Sequence, residues 1–303
     1  MDLKQLDYFV HVVELGSFTK AASFLSVAQS ALSHQVRQLE VELRQVLLHR
    51  NGRGVKPTDA GERLLAHARG ILAQVGRARE ELAETRGAPV GHVVLGLPAT
   101  IARLLTVPLF KAFRSAFPDA TFGIVEGLSA QIIDWLATGR VDVGLVYNAP
   151  PSPPVEIIPL HEQEMFLISS KRTRGSRAIK PVATQDLPRY PLIVPSRHNA
   201  NRMRIETQLA YLGLRPQIAL EIDGIASILD LVHEGYGYAI LPFSSLRAHK
   251  LAQDFIATPI VDPKLTIQLS LVISAQRPTT PLTRALLALV RNAALETLVA
   301  GKS

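Results

Sequence analysis

Cysteine is absent from the 303-residue sequence. That excludes disulfides, thiolate metal sites and cysteine nucleophiles, and it suits a reducing cytoplasm. Charged residues make up only 19% and apolar residues 47%, which excludes a disordered chain and indicates packed cores. No apolar run approaches the length of a membrane span. Met1-Asp2-Leu3-Lys4-Gln5 leads straight into an amphipathic pattern, so no signal peptide is expected. The sequence has no Gly-rich phosphate loop, no His-Glu metal pattern and no Ser-His-Asp set. Neither an enzyme, nor a metal site, nor a cofactor is therefore expected. The nine histidines are scattered and read as surface or interface residues. The formal charge of +7 permits a polyanionic partner without proving one.

The residues that are present divide the chain by grammar. Residues 1–57 read as short helices followed by a basic, Gly-rich hairpin, and 58–86 as one long helix. After the break at Ala88-Pro89-Val90-Gly91, strands alternate with helices, which predicts an α/β domain with a largely parallel, doubly wound sheet.

Asp2 with Gln5 forms an N-cap pair, and Leu3, Leu6, Phe9, Val10 and Val13 share one helical face. Gly16 ends that helix, and Ser17 caps the next. In a third helix Leu32, Val36, Leu39 and Leu43 recur at spacings of four, three and four, while Ser30, Ser33, His34 and Arg37 lie roughly opposite. Short donors, an imidazole and a guanidinium suit a recognition helix in a DNA major groove. Taken alone, this face fits an ordinary solvated helix equally well. His49-Arg50-Asn51-Gly52-Arg53-Gly54-Val55-Lys56-Pro57 shifts the balance, because a basic hairpin after such helices is a wing placed to meet DNA.

These residues resemble the LysR-type transcriptional regulator family. The likeness is carried by Leu6-Asp7-Tyr8-Phe9, by the run Gly16-Ser17-Phe18-Thr19-Lys20-Ala21-Ala22, by Ala28-Gln29-Ser30-Ala31-Leu32-Ser33, and by Arg53-Gly54-Val55 with Pro57-Thr58-Asp59-Ala60-Gly61. It implies that Gln29, Ser30, Ser33, His34 and Arg37 face bases or phosphates, that Thr19 and Lys20 approach the backbone, and that Arg50 and Arg53 serve the wing. Ser30 stands where the family usually has proline, and Ala28 forgoes the serine cap common there. The implied organisation is a winged helix-turn-helix DNA-binding domain over 1–58 and a linker and dimerisation helix over 59–88. A periplasmic-binding-protein-like effector domain follows over 89–303, with subdomains at about 92–160 with 266–300 and at about 161–265.

Along the long helix, Leu64, Ala68, Ile71, Val75, Ala78 and Leu82 repeat as four, three, four, three, four. That is an a/d seam for a second copy of the chain; a single-chain core helix is the competing reading. A two-fold dimer implies double-stranded DNA with a dyad-symmetric operator. The resemblance extends to tetramers and to RNA polymerase as a further partner.

In the implied effector domain a ligand sits at strand ends and helix starts, where a small anion is expected. The candidates are Thr100, Ser129, Tyr147, Asn148, Ser196, His198, Asn199, Arg202 and Phe243. For each of them an N-cap or a solvated loop residue is the alternative. Lys171 to Lys180 holds five basic residues and no acid, and reads as a solvated loop or a second anion contact. Ala28-Gln29, Pro195-Ser196, Arg202-Met203-Arg204 and Glu221-Ile222 are similar to the nitrogen assimilation control subgroup, which leaves an effector open rather than required. The alternative function is the solute-binding protein of a transport system, which shares the fold of the second half.

Overall fold

The Asp2 carboxylate accepts from Gln5 N at 2.7 Å while Gln5 Oε1 accepts from Asp2 N at 3.0 Å, so the first helix, α1 (Leu3–Leu15), starts with two of its orphan donors satisfied. The computed structural model describes residues 1–51, 54–83, 91–174 and 180–299. They form two units, essentially Met1–Gly87 and Ala88–Ser303, with Thr138–Arg140 assigned to the first.

In the first unit Gly16 closes α1 with φ 62°, a left-handed conformation that glycine adopts without strain. Ser17 caps α2 (Phe18–Phe24), and α3 (Gln29–Leu43) starts at Ala28 with no side-chain cap. The hairpin is β1 (Leu48–Asn51) paired antiparallel with β2 (Gly54–Pro57). Val55 N donates to Gly16 O at 2.9 Å, which seats β2 on the α1–α2 turn. A Cβ at Gly54 would stand 2.9 Å from that same carbonyl oxygen, at a φ of 140°. The core gathers Leu6, Phe9, Val12, Ala21, Leu32, Val36, Leu39 and Leu47, all buried.

Thr58 Oγ1 accepts from Gly61 N at 3.0 Å and so caps α4 (Asp59–Ala83). Here the expected seam needs correction. Ala68 is fully buried in the helix-turn-helix core beside Leu65, with Leu64 and Leu72 packed against it. At 3.6 residues per turn, Leu65, Ala68 and Leu72 point roughly 90° away from Ile71, Val75 and Ala78. Ala68 therefore serves the chain's own core. Ile71 is 38% exposed, Ala78 is exposed and Val75 is half-buried, so these three keep a face open. The side chain of Leu82 lies outside the described residues.

The second unit is built on one eight-stranded sheet. Its order is β4 (Ala120–Glu126), β3 (Gly91–Leu97), β5 (Val143–Tyr147), β12 (Thr266–Ser274), β6 (Val155–Ser170), β11 (Phe255–Val261), β7 (Val182–Ala183), and β10 (Ala239–Pro242) also pairs with β6. The largely parallel sheet expected from sequence is thus corrected to a mixed one. Pairs β3–β4, β3–β5 and β7–β11 are parallel; β12 runs antiparallel to both β5 and β6, and β6 antiparallel to β10 and β11. The cause is β6, a 16-residue strand. It pairs with β12 along Val155–Glu164 and with β10 and β11 along Met165–Ser170, so it links both halves of the sheet. β8 (Leu192–Val194) and β9 (Ile218–Glu221) form a separate parallel pair.

Helices α5 (Ala99–Ala116), α6 (Ser129–Thr138), α8 (Ala200–Tyr211), α9 (Ile225–His233), α10 (Phe243–Arg247) and α11 (Pro281–Val299) accompany these strands. The largest apolar core runs from Leu95, Leu105, Leu109 and Phe113 through Leu145 and Leu269 to Leu286. Lys171–Arg174 forms a short helix, α7, and residues 175–179 of the basic stretch lie outside the described residues. No described helix is long and apolar enough to cross a membrane.

Candidate DNA-binding surface and effector cavity

α3 presents two faces. Leu32, Val36 and Leu39 are fully buried, while Gln29, Ser30, His34 and Arg37 are exposed and Ser33 is half-buried. Thr19 and Lys20 are exposed at the start of α2. Arg50 comes back from β1 onto α3. Its guanidinium carbon stands 4.5 Å from the Phe18 ring centroid, its Nη1 donates to Ser33 Oγ at 3.4 Å, and its Nη2 is 3.6 Å from Glu40 Oε2. Glu40 Oε1 also accepts from Leu47 N at 2.9 Å and Leu48 N at 3.2 Å. One carboxylate thus ties the recognition helix to the hairpin strand. Phe18 and Glu40 were not read as anchors from sequence; the signal available for Glu40 was its place, with Glu42, as one of two acids among five Lys and Arg between Gln29 and Lys56. Arg53 lies outside the described residues.

In the second unit a cavity of about 310 Å³ opens where strands end and helices begin. Its walls come from Pro98–Thr100 after β3, Glu126–Ser129 and Gln131 after β4, and Tyr147 on β5. Pro195 and Asn199–Asn201 between β8 and α8, Asp223–Ile225 between β9 and α9, and Leu241 with Ser245 complete them. Of the expected effector residues the structure brings together Thr100, Ser129, Tyr147 and Asn199. Ser129 Oγ accepts from Tyr147 N at 3.0 Å, and Asn199 Oδ1 is occupied in capping α8 through Asn201 N and Arg202 N.

The other five lie off the wall. Asn148, at φ 48°, bonds the backbone N of Gln268 at 3.0 Å and Asn201 Oδ1 at 3.3 Å. Ser196 N donates to Asp223 Oδ1 at 2.9 Å, and His198 is exposed. Phe243 packs edge-on against Phe166. Arg202, expected to meet a carboxylate ligand, is buried and already satisfied by Glu206 Oε1 at 2.9 Å, Glu221 Oε2 at 2.6 Å and Pro195 O at 2.5 Å. Burial alone would lower its pKa; hydrogen bonds to Glu221 and Glu206 outweigh that and raise it.

Sequence reasoning passed over Glu126, Gln131, Asn201, Asp223 and Ser245 on this wall. The rule that selected Thr100, a polar residue between strand end and helix start, also finds Asp223. Hydrogen bonds from the Ser196 backbone and side chain hold the Asp223 carboxyl below the usual carboxylate range. Among the described residues the lining includes two carboxylates, Glu126 and Asp223, and no lysine, arginine or histidine. Burial pushes the Tyr147 hydroxyl up, against the smaller opposing influence of nearby Ser244 and Gln163. Among the described residues no partner stands in hydrogen-bonding geometry with that hydroxyl.

Residues 3–62 match the family "Bacterial regulatory helix-turn-helix protein, lysR family", and residues 86–295 match "LysR substrate binding domain". The nitrogen assimilation regulatory protein nac of Escherichia coli (strain K12) is 34% identical over 282 residues, 93% of this chain and 91% of that protein. Its counterpart in Klebsiella aerogenes is 33% identical over 301 residues, covering 98% and 97%. Among solved structures, full-length CbnR complexed with its target DNA superposes with a TM-score of 0.71 at 26% identity, covering 97% of this chain and all of that one. A full-length OxyR variant of Pseudomonas aeruginosa has the same fold, with a TM-score of 0.75 at 22% identity, covering 99% and 96%. A transporter's solute-binding protein finds no support in these relatives, which are regulators rather than enzymes or carriers. The chain belongs to the LysR family of transcriptional regulators, and within it stands with the nitrogen assimilation regulators.

Proposed function

We propose that this regulator binds a dyad-symmetric operator as a dimer, with α3 of each copy in a major groove. The observation that carries the reading is the two-faced recognition helix: a fully buried Leu32-Val36-Leu39 stripe fixes it, and Gln29, Ser30, Ser33, His34 and Arg37 occupy the other side. Thr19 and Lys20 approach phosphates, and Arg53 serves the wing. Arg50 positions the wing against α3. Ile71, Val75 and Ala78, with Leu82, form the pairing face of α4, and two such dimers assemble into a tetramer. Residues 1–58, 59–88 and 89–303 act as DNA-binding, linker and effector domains, the last with subdomains about 92–160 with 266–300 and about 161–265. A small effector binds at Thr100, Ser129, Tyr147 and Asn199 and biases contacts with DNA and RNA polymerase. The absence of cysteine supports work in the cytoplasm.

Footprinting and mobility shifts on the DNA beside the gene test this. Salt-sensitive protection of two half-sites about one helical turn apart, or a multiple of it, is expected. Gln29→Ala should change which operator variants bind best, whereas Lys20→Ala should weaken all of them alike. Binding with no sequence preference would defeat the proposal.

A further inference from the structure

We infer that the cavity of the second unit selects a small ligand carrying a protonated amine rather than a carboxylate; the inference rests on that cavity being the effector site. Three observations converge. First, among the described residues the wall carries Glu126 and Asp223 and no basic side chain. The Glu126 carboxylate has no hydrogen-bond or ion-pair partner among the described residues, and the Asp223 carboxylate accepts from Ser196, with His198 and Arg202 exerting a smaller electrostatic influence, so both keep acceptor capacity for a donor. Second, the cation best placed in sequence to receive an anion, Arg202, is held by Glu206, Glu221 and the Pro195 carbonyl, and does not line the cavity. A ligand carboxylate would therefore meet like charge with no counter-ion on the wall, while an ammonium finds two acceptors. Third, Tyr147, also on the wall, is 6% exposed, and no described residue stands in hydrogen-bonding geometry with its buried hydroxyl. Neither α5 nor α9 is capped by its own N-cap side chain, so backbone N–H groups remain for an acceptor on the ligand. A molecule pairing an ammonium with a hydroxyl or carbonyl fits the whole wall.

Charge preference is measurable without knowing the natural ligand. Propylammonium, propanol and propionate have nearly the same shape and differ in charge. Their dissociation constants for the full-length protein can be titrated by ligand-observed NMR at one ionic strength. The expected order is propylammonium, then propanol, then propionate, with about tenfold between the ends. Glu126→Gln should narrow that gap, and the Glu126→Gln/Asp223→Asn pair should abolish it. Glu126 has no partner to lose, so its single variant keeps the test sound if the double variant folds poorly. Propionate binding as well as propylammonium, no order at all, or an order untouched by Glu126→Gln would each overturn the inference. Operator binding is followed on the same preparations. If it persists while the charge order fails, the ligand class is wrong and the regulator reading stands; if wild-type protein ignores the operator, that reading fails first.

Discussion

Arg50 Nη1 lies 3.4 Å from Ser33 Oγ, joining the wing to the recognition helix across seventeen residues of sequence. The same guanidinium covers the Phe18 ring and faces Glu40. A planar, forked cation suits that triple contact; a lysine ammonium offers charge without the plane. Arg50→Lys should therefore weaken operator binding by about 1 kcal/mol, close to fivefold, and nearly as much as Arg50→Ala. Anisotropy titrations with a labelled operator would measure it. Wild-type affinity for the lysine variant would mean that Arg50 acts as a plain phosphate counter-charge.

Ala68 and Ile71 separate two jobs on α4. Ala68 is fully buried under the helix-turn-helix, whereas Ile71 is 38% exposed. Glutamate at 68 places an unpaired charge in a packed core and should cost several kcal/mol of stability in the DNA-binding unit. Glutamate at 71 should leave each copy folded and break the pairing face. Light scattering and thermal melts distinguish them: lower mass with an unchanged melt for Ile71→Glu, and a lowered melt for Ala68→Glu. Undiminished mass for Ile71→Glu would place the dimer contact elsewhere.

The helix-turn-helix was legible because short-range rules govern it. Asp2, Gly16, Ser17 and Thr58 cap as read, and the Leu32-Val36-Leu39 stripe faces inward. The seam was half-legible. One heptad pattern spans two faces: Ala68 serves the chain's own core, while Ile71 and Ala78 are exposed at overlapping spacings on the same helix. The first half of β6 was missed because Glu156, Pro159, Glu162 and Glu164 interrupt its apolar pattern, and its direction depends on β12, more than a hundred residues away. Arg202 looked like a ligand contact because its partners Glu206 and Glu221 come from a different turn and a different strand. Sequence supplies the charge of a side chain but not whether another side chain has already answered it.

Arg202 links α8, β9 and the loop after β8 through one buried guanidinium. Its side chain is 3% exposed, against 26% for Glu206 and 51% for Glu221. Removing the cation strands two carboxylates, but their solvent access moderates the cost. Arg202→Met should lower unfolding free energy by roughly 2 to 3 kcal/mol, below the range for fully buried pairs. Urea denaturation of the variant checks this. A midpoint unchanged from wild type would show that the ion cluster contributes nothing net.

Asp223 carries a signed pH dependence. The Ser196 backbone and side chain donate to its ionised carboxyl, which holds the folded-state pKa below the ordinary carboxylate value. A group depressed in this way contributes stability that is complete above its unfolded pKa of about 4 and is lost as pH falls through the lower, folded value. The contribution is small, because the side chain is exposed to water. Asn at 223 keeps an oxygen for Ser196 but cannot titrate. The stability difference between wild type and Asp223→Asn should therefore be constant from about pH 7 to 5, then shrink below about pH 4 as the wild-type carboxyl protonates. Urea midpoints across that range measure it. A difference that widened on acidification would mean that burial, not the Ser196 bonds, dominates the carboxyl, and that Asp223 enters the cavity as a neutral donor.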